Sequence, residues 1–485
     1  MSERAPAPLV VVGDALLDRD LAGTADRLAP DAPVPVVADC VERLRPGGAA
    51  LAAYLAARDG RPVTLITGLG DDDAARRLRR LLEPRVRVIA LPVTGPLPEK
   101  TRLLAQHRPV ARVDRGDGRA AGATDAARAA IRSAHAVLVS DYGRGAADAL
   151  RDVLAERPPE VWDPHPRGAV PVPGTRLVTP AEKEARLFAD GGPGDDLRTL
   201  SRGAAALVRA WRAAAVAVTL GPRGALLSYG DNPLLFPAPA AHPGDPCGAG
   251  DRFAATAAGR LADGALVEEA VARAVATATE FVTAGAAGAI GCEPAGGTAD
   301  RPPPRAHVRV HDPRGTLPAR LGAEDPRALA EGVRAAGGTV VAAGGCFDLL
   351  HAGHVGLLEE ARRLGDCLVV CVNSDTSVRR RKGDGRPVNP LADRIRVLKA
   401  LACVDAVAVF DEDTPERLLA RLRPDVWVKG GDYAGADLPE AALLEEWGGQ
   451  AVLLPYLDGR SSTRLAARAA AAVAAAREAE AGGAR

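Results

Sequence analysis

Aromatic side chains are scarce, 3% of 485 residues, and methionine occurs once. Hydrophobic residues still make up 47%, so the cores must be built from Val, Leu and Ala, a composition that reflects coding bias more than function. Net charge is missing as well. The 62 Lys and Arg balance 62 Asp and Glu, so no overall field draws the chain to nucleic acid or an anionic membrane, and any phosphate site must be local. The seven cysteines contain no CxxC pair and are odd in number. A complete internal disulfide framework is thereby excluded, and a reducing cytoplasm fits best. Long apolar runs are absent too. The first, "LVVV", is shorter than the ~7 residues of a signal-peptide core, so export is not expected. The Ala-rich end "LAARAAAAVAAAREAEAGG" is broken by Arg468 and Arg477, falls short of the ~20 residues of a membrane span, and reads as a soluble terminal helix.

What the chain does have is length for two or three domains and a regular alternation of Val-rich runs with Ala/Leu/Arg stretches. "LVVVGD", "VTLITG", "AVLVSDYG", "RLVTP" and "AVAVTLG" form one series; "TVVAAGGCFD", "CLVVCVNSD", "AVAVFDED", "VWVKGGD" and "AVLLPYLDG" form a second. Each predicts a mostly parallel sheet covered by helices. Between them, "GGTADRPPPRAHVRVHDPRGTLP" carries a proline run and little periodicity, which predicts a linker over 301–335 between an N-terminal domain (1–300) and a C-terminal domain (336–485).

Two stretches carry chemistry. In "GGCFDLLHAGHVG" a strand ends at two glycines and a helix begins near His354. The N–H groups and positive dipole end of a helix start make a phosphate site. His351 and His354, spaced i, i+3, can project to one side and both reach a triphosphate. In "HPGDPCGAGDRFAATAAGRL" a Gly-Ala-Gly turn precedes Asp251 and an Ala-rich helix. Backbone N–H groups there form an anion hole, and the carboxylate beside it can take a proton from a hydroxyl.

"GCFDLLHAGH" resembles the HxGH signature of the cytidylyltransferase-like nucleotidyltransferases, whose fold is a Rossmann-like α/β sheet. Further on, "VNSDTSVRRRKGDGRPVNPLADRIRVLKAL", "FDEDTPERLLARLRPDVWVKGGDY" and "DGRSSTRL" are similar to the adenylyltransferase domain of bacterial bifunctional heptose enzymes, over residues 338 to 470. The resemblance implies attack of a sugar 1-phosphate on the α-phosphorus of ATP. His351 and His354 would bind the β and γ phosphates, Lys382 would neutralise charge at the α-phosphate, and Arg394 would hold the nucleotide or sugar phosphate. Gly345, Phe347, Asn373, Asp375, Lys429, Asp432, Ser462 and Thr463 would line the nucleotide site, with Arg464 beside them.

"VVVGDALLDRDLAGTADRLAPDAPVPVV", "RPGGAALAAYLAARDG", "GLGDDDAARRL", "VTLGPRGALL" and the "GAGD" turn fall in the order found in ribokinase-like (PfkB) sugar kinases, over residues 8 to 295. That resemblance makes Asp251 the base and the N–H groups of Gly248, Ala249 and Gly250 the hole for the transferring phosphoryl group. Asp14, Asp18, Gly47 and Gly48 would grip sugar hydroxyls, and Lys100 and Arg102 a distal phosphate. Thr219, Gly221 and Gly224 would flank ATP, and Glu184 would orient Mg²⁺ through water. The chain departs from the family twice. Leu51 stands where the GGAAN pattern has Asn, and Ala181 stands where PNxxE has Asn. The expectation is therefore a ribokinase-like kinase domain followed by a Rossmann-like nucleotidyltransferase domain, taking ATP, Mg²⁺ and sugar phosphates, cytoplasmic, homodimeric, and binding neither nucleic acid nor membrane. A kinase domain reduced to a binding or assembly module stands beside it, as does a different sugar phosphate.

Overall fold

Val-rich runs lie at the centre of the molecule because both their faces are covered. Every residue of the Leu9–Gly13, Ala136–Ser140 and Cys367–Asn373 strands is buried, as parallel strands between helix layers require. The structure is a computed structural model and describes residues 5–105, 108–189, 197–230, 233–239, 245–290, 325–431 and 438–455. The chain divides into Met1–Asp231 with Phe236–Gly296, and Asn232–Leu235 with Gly297–Arg485.

In the first unit, the strands run in the order Val86–Leu91, Val63–Gly68, Leu9–Gly13, Ala136–Ser140, Val161–Asp163, Leu177–Val178 and Val216–Thr219, all parallel, with Ala225–Ser228 antiparallel beyond them. A second, four-stranded sheet is ordered Pro35–Gly48, Ala15–Leu28, Glu99–Ala105 and Arg108–Arg115. Its pairing sets Asp18 opposite both Arg45 and Lys100.

In the second unit, five parallel strands are ordered Ala406–Phe410, Cys367–Asn373, Val340–Gly345, Val426–Gly431 and Gln450–Pro455. The connection order reverses between Val340–Gly345 and Val426–Gly431, and open α/β sheets bind ligands at the carboxyl ends of strands at such a reversal. The "HAGH" loop follows the first of these strands, and Lys429 lies in the C-terminal half of the second. The expected linker 301–335 needs correction at its end. Pro326–Ala335 is a helix that starts with Pro at its first position, is capped by the Asp325 carboxylate (Arg327 N–H donates at 2.9 Å), and buries Ala330 and Val333 against this unit's strands. The rest of that segment, and the expected C-terminal helix, lie outside the described residues.

Candidate active sites

In the first unit, Gly248 caps the Ala249–Ala262 helix with φ 82°, a conformation suited to glycine. Asp251 stands in the first turn, and a Cβ added to Gly250 would meet nothing within 4 Å, so the helix start is open to an anion. The expected hole needs one correction. Ala249 N–H donates to Pro246 C=O at 2.9 Å, so it belongs to the turn, while Gly248 and Gly250 N–H have no partner among the described residues.

Asp251 is 6% exposed. Burial pushes its carboxyl up to about 7; Tyr142, whose O–H donates to Oδ1 at 2.8 Å, opposes the rise, as does Lys100, while Asp18 adds to it. A base poised near neutrality matches proton abstraction at physiological pH. With Oδ1 held by Tyr142, Oδ2 is left to take a proton. The Lys100 ammonium lies 5.4 Å from the Tyr142 ring centroid, so Asp18, Lys100, Tyr142 and Asp251 form one cluster. Burial raises the Asp18 carboxyl against the pull of Arg45, Lys100 and Arg102. Gly47 fits beside it because a Cβ there would approach Asp18 Cγ to 2.9 Å, and Gly48, at φ 58°, packs on the Asp14 carbonyl.

Two expected sugar contacts are placed otherwise. The Asp14 carboxylate accepts from the backbone N–H groups of Tyr142, Arg144 and Ala146 at 3.0, 2.9 and 3.1 Å. It anchors the 142–146 loop instead of gripping a hydroxyl, since three of its about four acceptor positions are filled. Arg102 is held by Asp20 and Asp245, each at 3.0 Å, and does not stand as a free phosphate ligand.

On the nucleotide side, Ala181 bridges to Thr219, which sets the Glu182–Phe188 helix beside the turn shaped by Gly221 (φ 59°) and Gly224 (φ 96°). Glu184 Oε2 accepts the Ala181 N–H at 2.8 Å, and burial raises its carboxyl. Asp163 is held well above the usual carboxylate range by burial, then by Asp251 and Glu184. Crowded hard oxygens of this kind suit a magnesium ion carried on ATP phosphates, with Glu184 and Asp163 the residues to hold its water shell. Among the described residues no group of three or more His, Cys, Asp or Glu is placed to ligate a metal directly.

In the second unit, His351 is the N-cap of the Ala352–Arg362 helix, which begins two residues earlier than the sequence suggested. Its Nδ1 accepts from Gly353 N–H at 3.1 Å, and His354 Nδ1 accepts from His351 N–H at 3.4 Å. Both rings therefore carry their proton on Nε2. They stack with centroids 3.9 Å apart, and Phe347 packs edge-on against His354 at 5.4 Å. Burial, then His351 and Lys382, push His354 down to about 4, so it is a neutral N–H donor at physiological pH. The capping role and the ligand role of the pair thus coincide. Gly345 leaves room for the Phe347 ring, which a Cβ would approach to 3.0 Å.

Arg394 is the correction here. Its buried guanidinium donates to the carbonyls of Cys346 (2.7 Å), Asn373 (2.9 Å) and Asn389 (3.1 Å) and to Asp375 Oδ1 (2.7 Å), tying three loops together instead of reaching a ligand. Burial alone would raise Asp375, and the Arg394 bond brings it below the usual range. Asn373 donates to Ser377 Oγ at 2.8 Å. Lys429 lies 3.6 Å from the buried Glu440 carboxylate. Asp432, Ser462 and Thr463 lie outside the described residues.

The pfkB family carbohydrate kinase model matches residues 160–295, and the cytidylyltransferase-like model matches residues 342–453. Bifunctional protein HldE of Streptomyces coelicolor is 74% identical over 465 residues, 96% of each chain. Bifunctional protein HldE of Azorhizobium caulinodans is 36% identical over 494 residues, covering 97% of this chain and 99% of that one. The chain belongs to the HldE family. A ribokinase of Arabidopsis thaliana complexed with ribose and ATP is similar at 22% identity and TM-score 0.46, over 58% of this chain and 93% of that one.

Against the family pattern, Leu51 is no vacated sugar contact. It is 1% exposed, in an apolar cluster with Leu55, Ala287 and Ile290, and its Cδ2 would lie 2.8 Å from a Cβ on Gly248. It packs against the Gly248 turn from within. Sequence reasoning missed Tyr142, two residues past the buried Ala136–Ser140 strand, and Asp163, the last residue of the Val161–Asp163 strand. It also missed Asp348, whose 2% exposed carboxylate takes Arg386 and the N–H groups of Val388 (2.7 Å) and Asn389 (2.9 Å), fixing the end of the basic loop. Its place in "GCFD", next to the glycine pair, was the available signal.

Proposed function

We propose that the chain is a bifunctional enzyme of ADP-heptose synthesis. Its first unit moves the γ-phosphoryl group of ATP to the anomeric hydroxyl of a heptose 7-phosphate. Asp251 takes the hydroxyl proton, the alkoxide oxygen forms the new bond to phosphorus, and the bond to the ADP oxygen breaks. Gly248 and Gly250 N–H and Lys100 stabilise the charge on the moving group. Magnesium, when bound with ATP, neutralises the phosphates. The second unit joins a heptose 1-phosphate oxygen to the α-phosphorus of ATP, and pyrophosphate leaves. His351, His354 and Lys382 stabilise it as charge develops. Between the two steps a separate phosphatase reaction must remove the 7-phosphate, so no channel joins the sites.

The observation that carries this reading is Asp251, buried at an open helix start with its carboxyl near 7; a mere binding module has no use for a poised base. No helix among the described residues is long and apolar enough to cross a membrane. A homodimer would cover Leu28, Val41, Val110 and Val113, exposed on the four-stranded sheet. Incubation with ATP, Mg²⁺ and heptose 7-phosphate, followed by mass spectrometry, tests the kinase half. A heptose bisphosphate is expected; its absence, with ADP-heptose still formed from heptose 1-phosphate, would reduce the first unit to a module.

A further inference from the structure

Asp141 is a carboxylate only 3% exposed that the proposed reaction does not use. It stands at the carboxyl end of the Ala136–Ser140 strand, and its N–H donates to the Asp163 carbonyl of the neighbouring strand at 3.0 Å. Its two carboxylate oxygens go to different loops. Oδ1 accepts from Gly143 N–H at 2.8 Å, in the loop after its own strand, and Oδ2 accepts from Ala169 N–H at 2.7 Å, in the loop after the Val161–Asp163 strand. The two loops close tightly around this carboxylate. Gly143, at φ 73°, lies so near the second loop that a Cβ would meet the Arg167 carbonyl oxygen at 2.6 Å, and a Cβ on Gly168 would run into the carboxylate itself. Glycine is required at both positions. A buried carboxylate with backbone donors alone is unfavourable unless those bonds are made well, and here they clamp one loop to the other.

Tyr142 connects this clamp to the chemistry. It follows Asp141 directly, its O–H donates to Asp251 Oδ1 at 2.8 Å, and its ring stacks on His165 with centroids 6.2 Å and planes 28° apart. His165 belongs to the second loop. Its Nδ1 accepts from Arg167 N–H at 3.1 Å and its carbonyl from Gly168 N–H at 2.8 Å, so the loop that Asp141 clamps also holds the imidazole. Tyr142 is thereby fixed at two points, its backbone by Asp141 and its ring by His165. We propose that Asp141 and His165 are positioning residues of the kinase: they keep the Tyr142 O–H on Asp251 Oδ1, and so keep Oδ2 turned to the sugar hydroxyl. The proposal rests on the kinase reading for what Asp251 does.

The test follows phosphoryl transfer, above the acid limb of Asp251, in D141N, H165A and H165F, each alone and combined with Y142F. A misplaced catalytic group costs up to about 10²-fold, so D141N and H165A should each lower kcat by roughly ten- to a hundredfold, and neither should lower it further once Y142F is present. H165F keeps a stacking ring and should retain most of the turnover. Losses that multiply with that of Y142F would mark a general structural role and overturn the proposal, as would unchanged turnover in D141N and H165A. A loss in H165F as large as in H165A would remove the stack from it. H165A, at a half-buried position, serves if D141N fails to fold. A second readout needs no turnover. The chain has five tyrosines, so protein labelled with fluorotyrosine gives few fluorine NMR signals, and the one missing in Y142F belongs to Tyr142. D251A should shift that signal, and the shift should vanish where D141N or H165A is already present; a shift that persists in both would overturn the proposal. If wild type transfers no phosphoryl group while the signal behaves as expected, the kinase reading falls and the positioning stands.

Discussion

Asp251 titrates near neutrality because it is buried, and the direction of that shift sets the pH behaviour of the kinase. Only the carboxylate can accept the sugar proton, so kcat/KM should fall by about tenfold per pH unit below roughly 7 and level off above it. The Tyr142 O–H favours the charged form. Y142F should therefore move this acid limb to higher pH, which a kcat/KM profile measures directly; an unmoved limb would separate Tyr142 from the base. Adenylyl transfer should lack this limb, since His354 is already neutral down to about 4. At this scale the sequence was legible where a role is local. "GAGD" and "HAGH" put Asp251, His351 and His354 at helix starts, and the structure has them there. It was illegible where a role depends on a partner far along the chain. Asp14 is filled by backbone groups about 130 residues away, Arg102 is paired with Asp20 and Asp245, and Arg394 is closed in by three loops. No residue type or spacing announces those contacts.

Helices and strands explain the two departures from the kinase pattern, and in opposite ways. Leu51 faces an apolar cluster from its helix, so L51N should not restore a sugar contact. It should destabilise the first unit by at least about 2 kcal/mol, through lost burial and an unpartnered amide, as read by denaturant unfolding. A gain in kinase turnover would instead place position 51 in the sugar site. Ala181 is exposed at the N-cap of the Glu182–Phe188 helix, with cap-compatible φ −69° and ψ 157° and no side-chain bond to the first turn. A181N should stabilise by about 1 kcal/mol, whatever it does to catalysis. The parallel strands were legible because burial on both faces leaves continuous Val-rich runs. The four-stranded sheet was not, because strands such as "ALLDRDLAGTADRL" carry charge without clean alternation; their Asp and Arg residues pair across the sheet, as Asp18 and Asp20 do with Arg45. Asp325 followed by Pro326 was a readable helix start, masked by the proline-rich stretch before it.

On the scale of the whole molecule, the chain joins two units, each with its own parallel strands and a helix start that carries its candidate site residues, and the proposed function gives each unit its own reaction. In the proposed function one site would use a raised carboxylate to accept a proton, and the other would use imidazoles held neutral to donate hydrogen bonds as pyrophosphate leaves. If the two are complete in themselves, damage to one should not reach the other. The most direct measurement assays D251N and H354A for both reactions on the same preparations, with heptose 7-phosphate and ATP for one and heptose 1-phosphate and ATP for the other. D251N should lower phosphoryl transfer by at least about 10²-fold and leave adenylyl transfer intact. H354A should lower adenylyl transfer by about 10²- to 10³-fold and leave phosphoryl transfer intact. Equal loss of both reactions in either variant would contradict two independent active sites.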